Sequence, residues 1–567
     1  MRLGKPFPEQ HLAVASILLL LIAGLAVALL NERYPLSAAH WDSSIYLRQA
    51  KQFSHGGYIQ NYRGQAAAIS DSLHGKSESE AGLEYWRFTR LGHIALAGTI
   101  VGFTGTDEAS IAKLSWTYRV IFTAGIFYVA LFAFEAARTY AITIDFRGLY
   151  LGTLLSLALY LLSDVGSYLS GNLVSEVPAV LTLGFGAWAL LRAFARQSLA
   201  YAAAAGISAF LLYVVGMEGV WSYVSLLGLA VVFLSARGPE RGIWWPGVLV
   251  AAVLPASLFA VYSLYFYPLT DPRLLIAFVN AVVGQHVTTP LASGDALAAA
   301  AKSLVVAIGF LVVGVVLALP LARRSRIVQF GIAWFVLISL VQLTIAAVGG
   351  GVPETRKFVH CIVPAFLLST VGWANLLSRS ADRDLAAPMI VLCAVCVPLF
   401  LISFPASYAQ LRQLPGMWRL QYAREWLAIP NPQRVDFRVP ELSRVHRYLE
   451  SLPPPVTVVA SPQMQAADHH FIIDFLNGAA SRSTSGSGTS VPRGNQSSRA
   501  YPFTLLEGSA DANEVVQAAS TSPRGRVLLL SVAGEEWGVR PAACPGTLQV
   551  VLKTQGFQLT ELLNDCR

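Results

Sequence analysis

The 567 residues are 54% hydrophobic and only 13% charged, with a mean hydropathy of +0.53, a balance that excludes an ordinary soluble protein and points to a polytopic membrane protein. The net charge of +8 does not make the chain a nucleic-acid binder, because much of the Lys and Arg falls in brief turns between apolar runs, where it sets topology. The five cysteines give no redox or metal centre: Cys393 and Cys396 form a C-x-x-C inside an apolar stretch where thiolates form poorly. Cys544 and Cys566 fall in a polar C-terminal region and are able to pair if that region lies outside the cytosol.

The first apolar run, Leu12 to Leu30, has no small-residue cleavage pattern before Asn31-Glu32-Arg33 and reads as a retained span. Next comes His40-Trp41-Asp42-Ser43-Ser44-Ile45-Tyr46, a lone carboxylate between an indole and two hydroxyls. Asp42 is a candidate general base for an alcohol at the membrane surface, and it is also suited to cap an expected helix from Ser43 to Phe53. Further on, Glu84-Tyr85-Trp86-Arg87 precedes Arg90; on a helix Arg87 and Arg90, three apart, would share one face, as a candidate anion site or as a solvated or headgroup-facing pair. Leu91 to Gly105 is apolar but short. Read as a span it inverts every later loop, so it is expected to lie in the membrane interface within a first external loop, 31–114.

The apolar runs predict about eleven spans, at 12–30, 115–137, 149–168, 177–195, 200–216, 219–236, 244–267, 302–321, 327–347, 359–377 and 386–404, each near the roughly 20 residues that a bilayer requires. Arg2/Lys5, Arg138/Arg147, Arg192/Arg196, Arg237/Arg241, Arg323/Arg324/Arg326 and Arg379/Arg383 occupy alternate connections, which predicts a cytoplasmic N-terminus and an external C-terminus. Arg119, near the external end of the second span, is expected in a structural ion pair. Glu176 opens the fourth span, with Ser175 as the expected cap and Pro178 in the first turn. A second external loop covers 268–301. A third runs from Gly349-Gly350-Gly351-Val352-Pro353 into Glu354-Thr355-Arg356-Lys357-Phe358-Val359-His360. Arg356 and Lys357 stand on the side where cations are disfavoured, with His360 close behind. A phosphate-binding role fits them, against the alternative of anchors that snorkel to headgroups.

From about 405 the charged residues return. Leu442 to Leu452 predicts a helix, and Val456 to Ala460, Arg526 to Val532 and Leu548 to Leu552 predict strands. These describe a small soluble α/β extracytoplasmic domain, 405–567, following a membrane domain, 1–404. Asp468-His469-His470 lacks further ligands at useful spacing and reads as surface, and the sequon Asn495-Gln496-Ser497 sits in a Ser- and Gly-rich loop.

The order of these features resembles the GT-C glycosyltransferases that use polyprenyl-phosphate sugars, above all the branch of protein O-mannosyltransferases and lipid A aminoarabinose transferases. The matching pieces are Asp42 with Tyr46, Arg90-Leu91-Gly92-His93 through Gly105, Arg119, Ser175-Glu176 with Pro178, and Arg356-Lys357-Phe358-Val359-His360-Cys361-Ile362-Val363-Pro364. Two pieces depart from the family pattern: Asp42 is followed by Ser43 where the family often has Glu, and Leu91-Gly92 stands where it usually has a Pro pair. The resemblance implies an inverting transfer from a polyprenyl-phosphate sugar to a glycan, lipid or protein hydroxyl. Asp42 would be the base, and Arg356 and Lys357, with Arg87, Arg90 and His360, would hold the donor phosphate. Tyr46, Glu84, Tyr85 and Glu176 are then expected to contact substrate. No cofactor or metal is required by this pattern, membrane lipids are the only further partners expected, and a bacterial plasma membrane is the expected location. Two readings from other classes compete. A transporter or flippase of an amphiphilic substrate predicts polar groups at mid-span, where the sequence has few, and an envelope-assembly scaffold would leave Asp42 as a cap alone.

Overall fold

An apolar run satisfies its backbone amides most economically within one helix, and helices account for most of the chain described. The computed structural model describes residues 17–18, 41–54, 56, 90–105, 108–140, 144–161, 173–216, 219–233, 243–266, 293–349, 355–380, 439–453, 456–460, 503–507, 526–532, 548–554 and 557–562. In chain order the helices are α1 (Trp41–Ser54), α2 (Leu91–Thr104), α3 (Glu108–Tyr140), α4 (Phe146–Leu161), α5 (Glu176–Arg196), α6 (Leu199–Val215), α7 (Gly219–Phe233) and α8 (Trp245–Phe266). They continue with α9 (Ser293–Ile308), α10 (Leu311–Ala318), α11 (Arg326–Gly349), a 3-10 turn at Thr355–Cys361, α12 (Ile362–Ser380) and α13 (Val439–Ser451).

Among the described residues, five helical stretches are long and apolar enough to cross a membrane: Lys113–Tyr140, Glu176–Arg196, Trp245–Tyr262, Arg326–Thr344 and Phe358–Ser378. Five further apolar helices are shorter. The expected spans 12–30, apart from Ile17 and Leu18, and 386–404 lie outside the described residues. The single span expected over 302–321 is divided: α9 ends at Ile308, Gly309 takes a φ of 54°, and α10 begins at Leu311. A left-handed residue ends a helix cheaply only when it is glycine, so one unbroken apolar run yields two rods.

Small residues set how closely these rods approach. On α4, Gly148, Gly152 and Ser156 recur at every fourth position and face α12. A Cβ on Gly152 would come within 2.6 Å of Ala374 N and 2.8 Å of Thr370 O, and the Ser156 and Ser369 hydroxyls lie 2.8 Å apart. Gly372 abuts the backbone of α10 in the same way, where a Cβ would lie 2.9 Å from Ala318 N. Between α3 and α5, a Cβ on Gly125 would lie 2.8 Å from Leu181 N. Such contacts let backbones pack directly, the usual basis of helix association in an apolar solvent. The outward faces are apolar too: Trp221, Val224, Leu249, Val253, Val261 and Leu264 are exposed, as an apolar surround requires.

The C-terminal part contains the expected helix, as α13, and a five-stranded sheet in the order β2-β1-β3-β5-β4. The strands are β1 (Val456–Ala460), β2 (Phe503–Glu507), β3 (Arg526–Val532), β4 (Leu548–Lys553) and β5 (Phe557–Leu562). β1 pairs in parallel with β2 and β3, while β5 pairs antiparallel with β3 and β4. The central β3 is apolar without alternation, and Val527, Leu528, Leu529 and Leu530 are all buried, as in a strand covered on both faces. Arg526 Nε and Glu561 Oε1 pair at 3.1 Å across β3 and β5.

Candidate functional site

The polar residues that stand out in the bundle gather where α1 and α2 meet the first turns of α3. α1 lies against α2 because Gly98 leaves room for it: a Cβ there would come within 2.6 Å of Phe53 Cδ1. With Phe53 seated, the same face of α1 one and two turns earlier buries Ala50, Leu47 and Tyr46. The Tyr46 phenol thereby reaches the start of α2, where it accepts a hydrogen bond from Arg90 Nη1. The guanidinium carbon lies 5.9 Å from the Tyr46 ring centroid.

His93 stands one turn beyond Arg90 on α2, with its ring 4.4 Å from that of Tyr46 and at 87° to it. Its Nδ1 lies 3.0 Å from the Tyr118 hydroxyl on α3, a hydrogen bond whose direction follows the imidazole tautomer. The four residues are withdrawn from solvent: Tyr46 is 4% exposed, Arg90 3%, and His93 and Tyr118 0%. Arg119, next to Tyr118, is buried as well. A guanidinium and an imidazole enclosed among phenols form an environment where electrostatic interactions are strong, since little water is present to screen them.

The C-terminal end of α6 joins this cluster to the start of α5. A Cβ on Gly92 would lie 2.8 Å from Val214 Cγ2, and one on Gly216 would lie 3.8 Å from Ser175 Oγ. Glu176 begins α5 there and is 4% exposed. The expected cap is not made: Ser175 has helical dihedrals and gives no side-chain bond to the backbone, and its hydroxyl donates to Glu176 Oε2 at 3.3 Å. Asp42 also differs from its expected capping position. Helix α1 starts at Trp41, so Asp42 is its second residue, in the first turn.

Arg356 and Lys357 belong to the 3-10 turn, which packs on α5, α9, α11 and α12 and buries Phe358, Val359 and His360. The turn runs directly into α12, with Pro364 in the first turn of the helix, where proline costs little. The side chains of Asp42, Arg356 and Lys357, together with Glu84, Tyr85 and Arg87, lie outside the described residues, as do Cys393, Cys396, Cys544, Cys566, His469 and His470.

Of the residues expected at a site, the structure therefore brings together Tyr46 and Arg90, and buries Glu176 beside Ser175, which lies by the end of α6. His93 and Tyr118 complete the cluster without having been expected as site residues. The only sequence signal for them is a lone imidazole in an apolar helix and a phenol one turn into a span. Among the described residues, no three His, Cys, Asp or Glu side chains converge as a metal centre would need. No protein-family model matches the sequence, and no curated protein matches it.

Proposed function

We propose that the chain is an inverting glycosyltransferase that moves a sugar from a polyprenyl-phosphate donor to a hydroxyl acceptor at the extracytoplasmic face of a bacterial plasma membrane. On this reading residues 1–404 form a GT-C-like membrane domain of about eleven spans with α2 in the interface, and 405–567 form an extracytoplasmic domain. The observation that carries it is the buried Tyr46–Arg90 pair, which joins the start of α2 to α1, the short helix that also bears Asp42. The helix of the candidate base is thus bonded to the candidate phosphate cation, near the Ser175–Glu176 end of α5.

The chemistry follows from those groups. Asp42 takes the proton of the acceptor hydroxyl as that oxygen attacks the anomeric carbon. The bond from that carbon to the phosphate oxygen breaks, and the polyprenyl phosphate leaves with the electron pair. Arg90, with Arg87, Arg356 and Lys357 and with His360, stabilises the negative charge that develops there. Glu176, Glu84, Tyr85 and Tyr46 contact the sugar or the acceptor. A lipid-borne donor reacts at the membrane boundary because extracting its chain costs about 0.8 kcal/mol per CH₂.

The test is Asp42→Asn in lipid-reconstituted protein, assayed with a panel of radiolabelled polyprenyl-phosphate sugars for both donor binding and turnover. Asparagine keeps the size of the side chain and loses the base. Retained binding with a collapse of transfer is the expected result. A chain that binds no such donor, or a variant that transfers sugar at the parent rate, overturns the mechanism in favour of a transporter or scaffold.

A further inference from the structure

We infer that His93 and Tyr118 are positioning residues that aim the Arg90 guanidinium through Tyr46, an inference that rests on the reading of Arg90 as a ligand of the donor phosphate. Arg90 opens α2 with a long, flexible side chain whose direction is set by what it is bonded to. The Tyr46 phenol is such a partner, and that phenol points at Arg90 only while its ring stays in place. The His93 ring packs perpendicular to it, with centroids 4.4 Å apart, and so restricts its rotation. His93 is in turn fixed from a third helix by the 3.0 Å bond between its Nδ1 and the Tyr118 hydroxyl.

The sequence of contacts is therefore Tyr118, His93, Tyr46, Arg90, across α3, α2, α1 and back to the first turn of α2. It ties the Arg90 cation to a phenol in one of the helices long enough to cross a membrane. Apolar side chains would pack α1 onto α2 at least as well. Enclosed imidazole and phenol groups carry a desolvation cost that Leu or Phe would avoid. What they add is direction: a bonded imidazole has one orientation, and it passes that orientation to the ring it touches.

The experiment measures binding of a radiolabelled polyprenyl phosphate, without sugar, to the full chain in lipid nanodiscs. It compares the parent, Tyr118→Phe, His93→Phe and Arg90→Ala proteins and the double variant of Tyr118→Phe with Arg90→Ala, each checked by thermal unfolding to be fully folded at the assay temperature. Tyr118→Phe and His93→Phe keep the rings and remove the same hydrogen bond, so each is expected to weaken binding by about tenfold, the scale of one buried hydrogen bond. In the Arg90→Ala background the Tyr118→Phe loss should vanish, which a merely structural role would not produce. Binding by Tyr118→Phe equal to the parent, or an equal loss in both backgrounds, overturns the positioning role while leaving Arg90 as a ligand. A parent that binds no polyprenyl phosphate, or an Arg90→Ala protein that binds it as the parent does, overturns the reading of Arg90 and this inference with it.

Discussion

The two ends of the helix bundle treat charge in opposite ways. Where α3, α5 and α10 finish, Arg138, Arg196, Arg323 and Arg324 are exposed, together with Arg147 and Arg326 at the starts of α4 and α11. Arg192 is half-buried and pairs with Glu135 while its guanidinium carbon lies 5.6 Å from the Trp188 ring centroid. At the other end Lys51, Arg90, His93, Arg119, Glu176 and His360 are all buried, with Lys113 exposed among them. A cation that only sets topology can stay in contact with water and headgroups. One withdrawn from solvent has a desolvation cost that its partners must offset, so the buried end is where the fold commits free energy to orienting charge.

Substitutions at graded positions test that contrast. The scale is set by a change that involves no charge: Gly372→Leu drives a side chain into the backbone of α10, and is expected to lower stability by about 3 kcal/mol in denaturant titration of the micelle-solubilised protein. Arg90→Ala should follow at roughly 1.5–3 kcal/mol, the range for a buried bond with a charged donor, read in the same titration. Ser175→Ala removes the hydroxyl that donates to Glu176 and is expected to cost about 1 kcal/mol. At the Arg-rich end, a double-mutant cycle on Glu135→Gln and Arg192→Gln should return a coupling below about 1 kcal/mol, because that pair is partly hydrated. Arg196→Ala should shift stability by no more than about 0.5 kcal/mol. A loss for Arg196→Ala as large as that for Arg90→Ala would abolish the distinction between the ends.

What the sequence makes legible follows from the range of each signal. Long apolar runs announce α3, α5, α8, α11 and α12, because a helix of that length needs only local composition. The break at Gly309 is hidden, since the run stays apolar on both sides and only the backbone angle reveals it. β5 has a weak signal because the alternation in Phe557-Gln-Leu-Thr-Glu-Leu562 lapses at Glu561; β2, five residues long, carries little signal of its own. Arg90 and Glu176 are nominated by charge in an apolar chain. The link between His93 and Tyr118 depends on two helices meeting, and no local pattern at either residue encodes its partner.

The length of α3 has a mechanical consequence. Its 33 residues rise about 50 Å, well beyond a hydrocarbon core of about 30 Å. Tyr118 lies a third of the way along this rod, on one side of Gly125, and Glu135, paired to Arg192, lies on the other. Gly125 on α3 and Gly184 on α5 press the two helices together midway, so their middle is a fulcrum with almost no slack. A tilt of α3 about that point would move the phenol that holds His93 one way and the Glu135 end the opposite way, so the clamp at Gly125 keeps the two ends of the bundle in register.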